Sequence, residues 1–101
     1  MPNSFQIDPE FSASVDEPTP IFVQKVVERC HIILSGISRP VSAIVYENEY
    51  YGYVKFFRTV ESAQRGASRL KTKGNKVLLT RVPKGLVLWV FEPDAYRARK
   101  F

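Results

Sequence analysis

Apolar positions recur along this chain with two different periods, and each change of period marks an element. From residue 20 to 35, Phe22, Val23, Val26, Val27, Cys30, Ile33 and Leu34 fall at helical spacing. Gln24, Lys25, Glu28 and Arg29 occupy the other side, with Ile32 among them. Thr19 can cap free backbone N–H groups, Pro20 suits a first helical position, and Gly36 offers a left-handed stop. The pattern predicts a helix over 20–35. Its β-branched residues lower the intrinsic propensity, so packing must hold it.

Next, Val41 to Tyr46 and residues 50–58 have strand composition and flank the polar break Glu47-Asn48-Glu49, predicting an antiparallel hairpin. A period of two along the second strand sends Val54 and Phe56 to the core, and Tyr51, Tyr53, Lys55 and Phe57 to the opposite face. Thr59 caps a second predicted helix, in which Ala63, Ala67 and Leu70 make a narrow apolar seam and Gly74-Asn75 the stop. Arg65, Arg69 and Lys73, at successive i+4 steps, form a basic ridge away from that seam. Lys76 to Val82 reads as a strand and Pro83-Lys84-Gly85 as a type I turn with a bulge. Leu86 to Phe91 is apolar without alternation, which predicts a central strand covered on both faces, with Trp89 as a core anchor. Glu92-Pro93 stops it, and residues 94–101 are long enough for one helical turn.

These elements predict a single small α+β domain of two layers. Two helices cover one face of a mainly antiparallel sheet, in the order αββαββ. Residues 1–19 contain three prolines and no helical period, and read as a flexible arm. Alternation of Phe5 and Ile7 allows a short extra strand over 4–7. The folded domain is expected over 20–101.

Charge adds direction to this picture. The chain of 101 residues carries a formal +5, but the arm holds four acids and no Lys or Arg, leaving +9 on the rest. Residues 55–84 concentrate nine cations, Lys55, Arg58, Arg65, Arg69, Lys71, Lys73, Lys76, Arg81 and Lys84, against Glu61 alone. Such a surface suits a polyanion or an acidic protein. The arm's acids could fold back on the basic face, or simply keep the protein in solution. One Cys and one His cannot supply four zinc ligands, and neither a phosphate-cradling glycine loop nor paired carboxylates beside a base appear. No metal, cofactor or catalytic role is expected. No apolar run approaches the ~20 residues that span a bilayer, and no leader pattern opens the chain, so a soluble cytoplasmic protein is expected.

The string Tyr51-Gly52-Tyr53-Val54-Lys55-Phe56 resembles the second consensus of RNA-recognition motifs. The resemblance covers about a third of the chain and implies base stacking by Tyr51 and Tyr53. The chain departs from the pattern at Glu49, where the family has a basic residue, and at Tyr50, where it has glycine.

The expected function is therefore a small non-enzymatic binding module for RNA or single-stranded nucleic acid. Its candidate contact residues are Tyr51, Tyr53, Lys55, Arg58, Arg65, Arg69, Lys73 and Lys76. The alternative is an accessory or adaptor subunit that docks on an acidic protein surface, since tyrosine and arginine also favour protein interfaces.

Overall fold

The computed structural model describes residues 18–98. The arm and its possible strand over 4–7 lie outside them. Seven strands and one α-helix follow in the order β1 (Ile21–Val23), a 3-10 turn (Gln24–Val26), β2 (Glu28–Ile33), β3 (Val41–Tyr46), β4 (Glu49–Phe57), α1 (Val60–Thr72), β5 (Val77–Val82), β6 (Gly85–Phe91) and β7 (Tyr96–Arg97). One mixed sheet has the order β1-β5-β6-β4-β3-β2-β7. β1 runs parallel to β5, and every other pairing is antiparallel.

This corrects the two-helix αββαββ expectation. Residues 20–35 form β1, the 3-10 turn and β2 instead of a helix. Ile21, Val23, Ile32 and Ile33 are β-branched and suit a pleated surface. Thr19 and Pro20 are also used otherwise than as a cap. The Thr19 amide donates to Gln64 Oε1 at 2.7 Å, Gln64 Nε2 donates to the Thr19 carbonyl at 2.9 Å, and the Pro20 carbonyl accepts from the Leu79 amide at 3.1 Å. The chain is thereby pinned to α1 and β5 in extended form. Residues 96–97, expected as a helical turn, pair with the end of β2.

The hairpin of β3 and β4 forms as expected, with Ile44 opposite Tyr51 and Tyr46 opposite Glu49. Its two turn residues, Glu47 and Asn48, both have positive φ (50° and 64°), the twist that a two-residue hairpin turn requires. Helix α1 also matches its prediction. Thr59 caps it, accepting from the Ser62 amide at 3.2 Å; Ala63 and Ala67 are buried; Gly74 turns the chain out at φ 91°.

Two apolar clusters lie on opposite faces of the sheet, as the alternation along β6 requires. Leu86 and Leu88, with Val90 beside them, pack under α1 with Ala63, Ala67, Val77 and Leu79. Val87 and Trp89 face the other way, with Val27, Ile44, Tyr51 and Leu78. No second helix among the described residues covers this inner cluster. The sheet covers it by rolling up. β1 and β3 are four places apart in the sheet, about 19 Å if it were flat at the usual spacing between strands. The rings of Phe22 on β1 and Tyr46 on β3 are nevertheless 4.7 Å apart. The 3-10 turn bridges the mouth of the roll, carrying the chain from one side to β2 and burying Val27 on the way. Trp89 Nε1 donates to the buried Thr80 Oγ1 at 2.9 Å inside it. No helix among the described residues is long and apolar enough to cross a membrane.

Candidate nucleic-acid interface

The register of β4 against β6 decides which side chains can form a site. Tyr53 lies opposite Trp89, but Lys55, not Val54, lies opposite Leu88, because the pairing slips by one residue between them. Such a bulge exchanges the faces of every residue beyond it. Phe56, opposite Val87, therefore joins Tyr51 and Tyr53 on the inner face, while Lys55 and Phe57 turn to the α1 side. The uninterrupted alternation expected from the sequence had placed Tyr51, Tyr53, Lys55 and Phe57 together.

The eight predicted contact residues consequently separate. Tyr51 is 2% exposed, packed against Phe91 at 5.7 Å between ring centroids, and its hydroxyl donates to Glu49 Oε1 at 3.1 Å. Burial and that carboxylate hold its phenol above the ordinary tyrosine range. The four-stranded, base-stacking sheet implied by RNA-recognition motifs is thus not present, since Tyr51 lies inside a rolled sheet of seven strands. Lys76 Nζ sits 2.7 Å from Glu49 Oε1 and over the Phe91 ring. The shared hydrogen bond lowers the Glu49 pKa and raises that of Lys76. Lys55 Nζ lies 5.5 Å from the centre of the Phe57 ring on the α1 side. Arg65, Arg69 and Lys73 are exposed on or just after α1, on the layer opposite Tyr53.

Tyr53 and Arg58 remain, and the structure joins them to residues the sequence reading left out. Tyr53 is 45% exposed and stands edge-on to Trp89, with ring centroids 5.9 Å apart. Phe56, 36% exposed, shares its face, two residues along the partner strand. Beside Tyr53, a cavity of about 220 Å³ is lined by Arg29, Ser42, Val82, Val87 and Trp89. At the β5–β6 turn, a second, open cleft of about 590 Å³ is lined by Arg58, Val60, Arg81, Val82, Lys84 and Gly85, among others. Val82 belongs to both hollows. Phe56 lies at the end of the sheet shared with Gly85, close enough that a Cβ on Gly85 would come within 2.9 Å of its ring. Arg29, Tyr53 and Phe56 thus share the inner face, and Val82 joins their hollow to a cationic cleft at the end of the sheet, where Arg58 and Lys84 meet Arg81, which lies opposite Leu86 on the α1 side.

Among the described residues no ion pair compensates these cations. Neither the Lys76–Glu49 nor the Arg97–Glu28 ion pair involves these four cations. Alternation in Arg29-Cys30-His31-Ile32 was the signal for Arg29, because a strand puts Arg29 and His31 on the inner face and Cys30 and Ile32 on the outer. Cys30 is half-buried there. Burial raises its thiol pKa; nearby Arg97 lowers it and Glu28 raises it further. Cys30 and His31 thus point away from each other and form no pair.

No family model, curated protein or solved structure matches this chain.

Proposed function

We propose that this protein is a non-enzymatic module that binds single-stranded nucleic acid, RNA in particular, across the surface from Arg29 through Tyr53 and Phe56 to the cleft of Arg58, Arg81 and Lys84. One observation carries this reading: two half-open rings on one strand face, with Arg29 at one end and a cationic cleft at the other, none of these cations in an ion pair among the described residues. Tyr53 and Phe56 stand opposite residues two apart on β6, so they are spaced by about 7 Å, roughly twice the rise of stacked bases. Stacking on such rings requires bases with free faces, which a duplex does not offer. The flanking guanidinium and ammonium groups supply the attraction for phosphate that every such complex depends on.

The test is a fluorescence-anisotropy titration with a labelled oligonucleotide at several salt concentrations. Affinity should fall steeply with salt, and the log–log slope should flatten by about 0.7 for each phosphate contact removed in Arg58→Ala or Arg81→Ala. Tyr53→Ala with Phe56→Ala should weaken binding by about 30-fold or more, from ~1–3 kcal/mol for each of two stacked bases. Arg65→Glu with Arg69→Glu, on α1, should act much less than charge reversal at Arg58 and Lys84, which line the cleft. A flat salt response would overturn the proposal. Retention of a defined acidic protein by nuclease-treated bait would then favour the adaptor reading, which rests on the same tyrosine and arginines.

A further inference from the structure

The two hollows that share Val82 differ in chemistry, and their difference divides the labour of nucleotide recognition. The cleft at the β5–β6 turn is open and cationic, a place for phosphate. The hollow beside Tyr53 is smaller, about 220 Å³, and its walls are apolar and aromatic: Tyr53, Val82, Val87 and Trp89. Two polar residues line it, Arg29 from β2 and Ser42 from β3. Both project from the inner face, Arg29 opposite Ile44 and Ser42 opposite His31. A pocket with apolar walls and few polar groups fits a flat, largely apolar ligand whose orientation those groups fix. An unstacked base has that shape, and the neighbouring cationic cleft lies one residue away, where its phosphate would go.

The polar pair also favours one base. Arg29 carries only donors, arranged as a planar fork, and no carboxylate among the described residues occupies it. The acceptor pair that best matches such a fork on a base edge is O6 with N7 of guanine. Adenine presents an amino donor where guanine has O6, which would oppose the guanidinium; cytosine and uracil lack N7 altogether. We infer that the hollow bounded by Tyr53, Trp89 and Arg29 holds one guanine of a bound single strand, with Arg29 donating to its O6/N7 edge and Ser42 beside it. This rests on the single-strand reading above and adds base preference to it.

Trp89 is the sole tryptophan of the chain and lines the pocket, so its emission reports entry of a base. The experiment titrates the full chain with uridine hexamers that carry guanosine, adenosine, cytidine or uridine at one central position. The guanosine hexamer should bind roughly tenfold tighter than the others and change Trp89 emission more strongly. Arg29→Ala should remove the preference, and Arg29→Lys, which keeps the charge but loses the fork, should remove it too. Arg29 is exposed, so thermal melts of both variants should match the parent and exclude misfolding as the cause. Equal affinity for all four hexamers, a preference for another base, or a guanosine preference that survives both substitutions would sink the guanine pocket while leaving single-strand binding intact. Failure of every hexamer to bind would remove the parent reading and the pocket together.

Discussion

Trp89→Ala should destabilise the protein by about 3–5 kcal/mol, a large share of the stability of a domain this size. Trp89 is 2% exposed and is the largest side chain of the inner cluster. The roll of the sheet exists to cover that cluster, since no second layer lies over it among the described residues. Truncation removes the contacts with Tyr53, Leu78 and Val87 and leaves a cavity that a curved, hydrogen-bonded sheet cannot readily close. It also deprives the buried Thr80 hydroxyl of its partner at 2.9 Å. Trp89→Phe keeps most of the apolar volume and should cost markedly less. Urea unfolding followed by far-ultraviolet circular dichroism measures both, and a loss below about 1 kcal/mol for the alanine variant would mean that the inner cluster is not enclosed.

The second large effect is expected at Gly85, the first residue of β6. A Cβ there would stand 2.1 Å from the Phe57 carbonyl oxygen and 2.9 Å from the Phe56 ring. The carbonyl belongs to the β4 backbone, so the clash can be relieved only by parting β4 from β6 beside the Phe57–Leu86 pair. Gly85→Ala should therefore cost about 2–4 kcal/mol, above the usual range for overpacking because backbone has to move. It should also disturb the proposed surface, since Gly85 joins Phe56 to the cationic cleft. Gly66→Ala is the informative comparison. Its Cβ would meet only the Phe57 ring, at 2.5 Å, and a helix gains about 0.8–1 kcal/mol when alanine replaces glycine. Thermal melts of the two variants should place Gly85→Ala well below Gly66→Ala; the reverse order would contradict the close approach of the two strands.

What could be read from the sequence follows from where local and tertiary forces agree. Thr59, the Ala63–Ala67 seam and Gly74 bound α1 with local chemistry alone, and the burial of β6 on both faces was written in its unbroken apolar run. The segment 20–35 was misread because its apolar residues satisfy helical spacing while its β-branched residues favour a strand. The decision came from contacts remote in the chain, Thr19 with Gln64 and Pro20 with Leu79, which no local pattern contains. The slip in β4 was equally hidden: Val54 carries no mark of a bulge, yet it moved Phe56 to the inner face beside Tyr53 and took Lys55 and Phe57 away. Half of the aromatic pair was therefore anticipated, at Tyr53, and Phe56 was assigned to the core. Arg29 was lost with the helix that was expected to carry it.

Closure of the roll depends on a short edge strand. β1 has three residues and a single neighbouring strand, β5, and its partner residues Ile21 and Leu79 are 58 positions apart in the chain. Bringing such distant segments together is entropically expensive and rewarded by few bonds, so this seam assembles last and opens first. The backbone amides of β1 should exchange with deuterated water well before those of β6; equal protection would show the seam to be as firm as the centre. Solvent would then first reach the tryptophan along this edge, and the segment that fastens it would act as a latch on the whole interior.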